Sequence, residues 1–229
     1  TKPTSTPLLH QPTRQQLQEL NVAAEILLSA PTRILWQCGM LTCEEREKVI
    51  QVANRAGIAL VDGITHPGSI TGTLDGTSAT NYLGTLSMYG FNCRVHHFLE
   101  GMDEDPLSAT PPWIFFLKSK IDQSSTPYSE GKLRRRFRIA QVNSNPRHIA
   151  PFTHLALEVP LKSFLDHMDD RISREMNPQI LQKRQHLLRR ISLIRDESPT
   201  DRIRTVPMTP NYFFSRLGNL VKNMIMSGY

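Results

Sequence analysis

The sequence lacks the residue arrangements that usually accompany catalysis. The 229 residues contain no Ser/His/Asp arrangement, no phosphate-binding loop with Gly-Lys-Ser, and no paired acids at helical spacing in a plausible cleft. The three cysteines, Cys38, Cys43 and Cys93, do not have the spacing of metal ligands. We therefore predict no catalytic residue and no metal ligand in this chain. The small, odd number of cysteines predicts a reduced, cytosolic protein.

Long hydrophobic runs are also absent. No run approaches the ~20 apolar residues of a membrane-spanning helix, and the first residues do not have a signal-peptide pattern. No internal repeat is visible, and we predict no membrane association. Because the first residue is Thr1 and the last, Tyr229, follows a predicted helix, we expect the chain to be part of a longer protein.

Positive charge is in moderate excess, with a formal net charge of +6. Much of it is clustered in residues 132–138 and 183–190. Such clusters can contact the phosphates of a nucleic acid or a cofactor, or can be solvated faces or contact surfaces for another domain. Neither cluster is interleaved with exposed aromatic residues or belongs to a recognisable reader motif, so we do not expect a nucleic acid as partner. The role of the clusters stays open.

A strand–helix–strand pattern is the most informative feature of the sequence. The apolar run at residues 34–37 predicts a strand, and Thr42 with Glu45 forms a capping-box signature at a helix start. Gly57 is the residue type that ends such a helix in a left-handed conformation, and residues 58–61 predict a second strand. Two parallel strands joined in this way must be covered on both faces, so the pattern predicts an open α/β sheet.

The rest of the chain can extend this sheet. We predict a first helix capped by Thr13, an irregular segment over residues 71–90, and a short helix over residues 91–99. Three further strands are predicted at residues 113–117, 138–142 and 154–159, followed by helices after Pro160, over residues 178–194, and after Thr209-Pro210.

Ligands of open α/β sheets bind beyond the carboxyl ends of the strands. Here that edge comprises the turn Cys38-Gly39-Met40 and the loop His66-Pro67-Gly68. The turn has one glycine where a dinucleotide fingerprint has three, so it can equally be an ordinary turn. Cys38 can have a lowered thiol pKa there, although a buried spectator is the simpler interpretation. The loop can contact a ligand or be a plain turn.

The end of the strand at residues 138–142 is the second place where a ligand contact is expected. Asn143 and Asn145 follow it, where α/β nucleotide-binding proteins often place a carboxylate against ribose hydroxyls. An amide can donate and accept hydrogen bonds but cannot provide a charged acceptor.

The order of these segments resembles the central domain of thiamine-diphosphate-dependent enzymes of the acetolactate synthase, pyruvate decarboxylase and benzoylformate decarboxylase type. The resemblance covers about residues 13–172 and rests on several weak motifs taken together. The matching segments are VAAEILLSAP at residues 22–31, CGM at 38–40, AGIALV at 56–61, HPGS at 66–69, LG at 83–84 with MYG at 88–90, and VNSNP at 142–146.

The resemblance implies a Rossmann-like, three-layer α/β/α domain of the DHS-like NAD/FAD-binding type, with C-terminal helices. Its sheet should be mainly parallel, with five to six strands. We accordingly predict a linker at residues 1–12, the central domain at 13–175, and a helical linker at 176–229 that leads toward a third, diphosphate-binding domain.

The resemblance also implies which cofactors are relevant. Thiamine diphosphate and Mg²⁺ would be bound by the parent protein between its first and third domains, not by this chain alone. FAD or ADP is held by the central domain in some members, at positions that correspond to Cys38, Gly39, Met40, His66, Pro67, Gly68, Gly90, Asn143 and Asn145. The single glycine, the two amides and the lack of an Arg after Lys118 argue against a bound flavin or ADP here.

The resulting functional prediction is a structural one. The chain is expected to be the central domain of a thiamine-diphosphate-dependent enzyme that acts on a 2-keto acid or a related carbonyl compound. It would join the flanking domains, carry a vestigial nucleotide crevice and take no catalytic part by itself, in a parent protein that is a homo-oligomer. The alternative is a freestanding regulatory α/β module that binds an adenine nucleotide, NAD or FAD.

Overall fold

The structure is a computed structural model. It describes residues 12–66, 68–70, 73–74, 77–78, 81–87, 90–91, 93–102, 105, 107, 109–122 and 124–194, together with residue 217. The chain divides into two units, Thr1–Leu193 and Ile194–Tyr229, and all the helices and strands given below belong to the first. Pro67 and the helix predicted after Thr209-Pro210 lie outside the described residues.

The described part of the first unit contains six α-helices and nine short strands. The helices are α1 (Arg14–Ser29), α2 (Cys43–Ala56), α3 (Cys93–Glu100), α4 (Glu130–Arg136), α5 (Leu161–Glu175) and α6 (Pro178–Ser192). The strands are β1 (Ile34–Cys38), β2 (Ala59–Asp62), β3 (Thr73–Leu74), β4 (Thr77–Ser78), β5 (Tyr82–Ser87), β6 (Gly90–Phe91), β7 (Trp113–Leu117), β8 (Arg138–Val142) and β9 (Leu155–Leu157).

The main sheet has the order β6-β5-β2-β1-β7-β8-β9. The six strands β5, β2, β1, β7, β8 and β9 are all parallel. Strand β6 adds a two-residue antiparallel pairing to β5 at one edge of the sheet. Counted along the chain, the parallel strands have the spatial order 3-2-1-4-5-6, which is that of doubly wound nucleotide-binding folds. This confirms the predicted α/β class and the mainly parallel sheet. A separate two-stranded hairpin is formed by β3 and β4.

The helices cover the sheet on both faces. One face packs against α1, α2 and α5, where Trp36 and Phe115 from the strands meet Phe164 with ring centroids 5.8–6.5 Å apart. Side chains alternate along each strand, so Gln37 and Gln141 face the other layer, where α3 and α4 lie. The central strands are buried along their length, as expected for a parallel sheet. Among the described residues, none of the helices combines the length and apolar character that crossing a membrane requires.

The predicted strand–helix–strand unit is confirmed in its local detail. The Thr42 hydroxyl accepts the Glu45 amide at 3.2 Å, and the Glu45 carboxylate accepts the Thr42 amide at 2.9 Å, which is the reciprocal pair of a capping box. Gly57 ends α2 with φ of +65°, a conformation that is strained for a side-chain-bearing residue.

One part of the sequence-based prediction is wrong. The segment predicted to be irregular contains the six-residue strand β5, whose signal is masked because Leu83 forms a bulge against β2 and Gly84 has φ of +118°. The sequence leaves the role of the basic residues 183–190 open, and in the structure one of them, Arg184, lies on the buried face of α6 and is 2% exposed. Helix α4, which carries most of the other basic cluster, was not predicted.

Candidate functional site

The predicted ligand-contacting residues mostly lie along the carboxyl edge of the sheet. Gly39 and Met40 follow β1, His66 and Gly68 follow the neighbouring β2, and Asn143 follows β8. Strand β7 lies between β1 and β8, so the Asn143 side of the edge is two strand spacings, about 10 Å, from the β1 turn. The structure therefore brings the first two groups together on adjacent strands. Gly90 lies in β6, beyond β5, and Pro67 is not described.

The gap between β1 and β7 is the point where the strand order reverses, and dinucleotides bind there in this type of fold. In this chain the Gly39 amide donates to the Leu117 carbonyl at 2.9 Å and extends the pairing of the two strands past their ends. A Cβ on Gly39 would lie 2.3 Å from the Lys118 carbonyl oxygen. The glycine thus permits a close approach of two backbone segments at this point of the sheet edge.

The amino-terminal end of α2 is the position at which a phosphate would be expected. The Glu45 carboxylate lies there and accepts hydrogen bonds from the Thr42 amide and, at 2.9–3.0 Å, from the Lys118 ammonium. Burial by itself would raise the pKa of Glu45, but these hydrogen bonds and the Lys118 charge outweigh it and hold the pKa below its ordinary value. The Glu45 carboxylate, paired with Lys118, therefore supplies at the start of α2 the negative charge that a bound anion would supply there.

Asp62 is a site residue that the sequence-based prediction missed. It ends β2 and is 3% exposed, and its carboxylate accepts hydrogen bonds from the Gly68 amide at 2.8 Å, Thr85 at 3.1 Å and Tyr82 at 3.3 Å. An acid at the end of the second strand is where dinucleotide-binding folds hold the ribose. Here that carboxylate instead fixes the loop after β2, and the signal that could have identified it was its place directly after a buried run.

The two asparagines are used for local structure. The Asn143 side-chain oxygen accepts the Asn145 amide at 3.0 Å, and the Asn145 side-chain oxygen accepts the Arg147 amide at 3.0 Å. These contacts shape the 3₁₀ turn Pro146–His148. Asn143 is 8% exposed, whereas Asn145 is exposed.

Cys38 and His66 do not form a nucleophile–base pair in the structure. Cys38 is buried beside Asp62, its partner across the β1–β2 pairing, and burial followed by the Asp62 charge raises the pKa of its thiol. Cys38 is thus buried, whereas its having no part in ligand binding stays a prediction. His66 Nδ1 lies 3.0 Å from the Thr65 hydroxyl, its neighbour in the chain.

The residues at this edge do not fit a diphosphate–magnesium group. Within the described ranges, no group of three or more His, Cys, Asp or Glu side chains could hold a metal ion. The carboxylates of Glu45 and Asp62 are already engaged by donors of the domain itself. The arrangement can therefore stabilise two loops and a helix terminus.

Comparison with known proteins shows the family to which the chain belongs. Residues 19–191 match the family described as the biosynthesis protein PigD third domain. The chain is 32% identical over 207 residues to the thiamine diphosphate dependent-3-acetyloctanal synthase PigD of Serratia sp. (strain ATCC 39006), and 31% identical over 212 residues to the PigD of Serratia marcescens. These matches cover 89% and 91% of the chain but only 23% of each relative. The predicted kinship with thiamine-diphosphate-dependent enzymes is thereby confirmed, and the chain belongs to the PigD third-domain family.

Proposed function

We propose that this domain is a non-catalytic connector in a thiamine-diphosphate-dependent enzyme that acts on a 2-keto acid or a related carbonyl compound. Two relatives are named for a thiamine-diphosphate-dependent synthase, and the chain corresponds to about a quarter of their length. The catalytic groups would then belong to other domains of the longer protein. The position of this domain between two catalytic domains, in a homo-oligomeric parent, is part of the same proposal.

The observation that carries the proposal is the way the carboxyl edge is closed by the domain's own groups. The Gly39 amide bonds to β7, the Glu45 carboxylate lies at the start of α2 with Lys118, and Asp62 holds the loop after β2. Each of these groups occupies a position at which a nucleotide would need a free donor or acceptor. The fold is therefore that of a nucleotide-binding domain, whereas the local chemistry favours a framework role.

The proposal also assigns the binding of the cofactors to other domains of the parent protein. Thiamine diphosphate, when bound by the parent protein, supplies the carbanion chemistry on the carbonyl substrate, and Mg²⁺ would hold its diphosphate. The described residues of this chain would not contact either group. FAD and ADP would be excluded by the Glu45–Lys118 pair, which competes for the same helix terminus.

Calorimetric titration of the chain with ADP, FAD, NAD and thiamine diphosphate plus Mg²⁺ tests the proposal. We expect no saturable heat with any of the four. A Glu45→Ala variant serves as the matched comparison, because removal of the carboxylate frees Lys118 and the helix terminus and should allow weak ADP binding. Saturable micromolar binding of a nucleotide to the unchanged chain would contradict the proposal and support the alternative of a regulatory nucleotide-binding module.

A further inference from the structure

Helix α6 carries a buried arginine in the middle of its apolar face. Ile180, Leu187, Leu188 and Ile191 are the buried apolar residues of the helix, and Arg184 lies among them at 2% exposure. Burial lowers the pKa of Arg184 to about 10, so the side chain remains a cation at neutral pH. A buried cation requires either a carboxylate or several strong acceptors.

The acceptors of Arg184 are backbone carbonyls. Nη1 donates to Leu27 at 2.6 Å and to Ala56 at 3.1 Å, Nη2 donates to Ala30 at 2.9 Å and to Ile26 at 3.3 Å, and Nε donates to Thr32 at 3.3 Å. The five carbonyls therefore surround a single planar cation.

Four of these five carbonyls come from two helix ends, and the fifth, that of Thr32, precedes β1. Ile26, Leu27 and Ala30 belong to the last turn and the C-cap of α1, which has no basic residue in its last turn. Ala56 is the last residue of α2. The last carbonyls of a helix lack partners within the helix and form the negative end of its dipole. One guanidinium thus satisfies the ends of two helices at once.

Gly57 allows α6 to approach this closely. A Cβ on Gly57 would lie 2.8 Å from the Cβ of Arg184, so the glycine that ends α2 also makes room for the backbone of α6. Helix α5, by contrast, is joined to α1 and α2 by side-chain ion pairs such as Arg171–Glu25 and Lys48–Asp169. Helix α6 is joined to those helix ends through the Arg184 guanidinium and its apolar face.

We propose that the ends of α1 and α2 form a socket for one guanidinium, and that Arg184 is a latch that holds α6 in this socket. Without the latch, α6 detaches while the rest of the domain stays folded. The socket consists of the carbonyls of Ile26, Leu27, Ala30, Thr32 and Ala56. If the domain is a connector, which is the proposed function, then the latch fixes the direction of the helix by which the chain leaves it. Arg184 is in this sense a positioning residue and not a catalytic one.

Chemical rescue tests the latch directly. In an Arg184→Ala variant the socket keeps its carbonyls but loses its cation, and ethylguanidinium has the shape of the deleted atoms. We expect the variant to have a lower Tm and about tenfold or greater loss of hydrogen-exchange protection in α6, with β1, β7 and β8 nearly unchanged. About 20 mM ethylguanidinium, far below denaturing concentrations, should restore at least half of both losses.

Two variants control for the size of the cavity and for folding. Arg184→Met fills the cavity with an apolar chain and should not respond to ethylguanidinium. Arg184→Lys keeps the charge with fewer donors and should give intermediate α6 protection, which provides a readout if Arg184→Ala does not fold. Absence of rescue in a folded Arg184→Ala variant, or a uniform loss of protection across the sheet in Arg184→Lys, would overturn the proposal. Neither measurement involves a nucleotide or a cofactor, so its outcome is independent of the titrations that test the connector role.

Discussion

The helix ends that lie at the two edges of the sheet carry partial charges of opposite sign. Because the helices of a parallel α/β fold run against the strands, helix N-termini lie at the carboxyl edge and helix C-termini lie at the amino edge. The carboxyl edge presents amide donors, which are met by the carboxylates of Glu45 and Asp62. The amino edge presents carbonyls, which are met by the guanidiniums of Arg33 and Arg184. Each edge thus carries side chains of the sign that its helix ends require.

The ion pairs at the two edges differ in how deeply they are buried. Arg33 and Asp105, an ion pair of 3.5 Å at the amino edge, have side chains that are 5% and 0% exposed. Glu45 and Lys118, at the carboxyl edge, have side chains that are 20% and 37% exposed. A buried charge is costly when its partner is removed, whereas a solvated pair contributes little. The comparison teaches that the buried Arg33–Asp105 pair at the amino edge carries stability, while the solvated Glu45–Lys118 pair at the carboxyl edge can be changed at low cost.

The largest expected effect is therefore at the amino edge. Arg33→Met removes the hydrogen bonds to the Phe98 and Leu99 carbonyls at the end of α3 and leaves the Asp105 carboxylate buried without its cation. We expect a loss of about 3–5 kcal/mol in the free energy of unfolding, measured by urea titration.

The double variant Arg33→Met/Asp105→Asn is the control for this effect. It removes both charges, so it should be more stable than Arg33→Met alone. If the single and double variants lose the same free energy, the buried charge is not the cause and the comparison of the edges fails.

The difference between the edges also explains how much of the molecule could be predicted. The pattern from residue 34 to residue 61 predicted β1, α2 and β2 because Thr42, Glu45 and Gly57 act within a few residues of where they lie. Contacts of this kind join residues that are close together in the chain, so the sequence pattern alone can predict them. Strand β5 was missed because its bulge and Gly84 remove the alternation that identifies a strand.

Polar contacts between residues that are far apart in the chain could not be predicted from the sequence pattern. Arg184 lies 128 residues from Ala56 in the chain, and a basic cluster gives no sign that one of its members points inward. Asp62 was missed for the same reason, since its partner Thr85 lies in the unpredicted β5. The predicted site residues therefore lie mostly at the carboxyl edge, but the contacts that Glu45 and Asp62 make with distant residues there required the structure.

A smaller effect is expected where the backbone closes the carboxyl edge. Gly39→Ala would place a Cβ 2.3 Å from the Lys118 carbonyl oxygen, and a backbone atom cannot move aside as a side chain can. We expect a loss of about 1–3 kcal/mol in the free energy of unfolding. Gly131→Ala is the matched control, because nothing lies within 4 Å of its Cβ and the position is in α4. That change should stabilise the chain by about 0.5–1 kcal/mol, so effects of the same sign at both glycines would contradict the close-approach argument.

The smallest effect is expected at Glu45, and its dependence on pH identifies its cause. Glu45→Gln keeps an acceptor for the capping box but removes the charge that pairs with Lys118, and for such a solvated pair we expect a loss of about 0.5 kcal/mol at pH 7. Because the pKa of Glu45 is lower in the folded chain than in the unfolded one, its contribution to stability is complete above the unfolded pKa and is lost as the pH falls through the folded pKa. Urea titrations of the unchanged chain and the variant should therefore differ at pH 7 and converge as the pH falls below the pKa of Glu45 in the folded chain. A difference that persists unchanged at low pH would mean that the Glu45 contact acts through hydrogen-bond geometry alone, and the charge of Glu45 would then contribute nothing at the carboxyl edge.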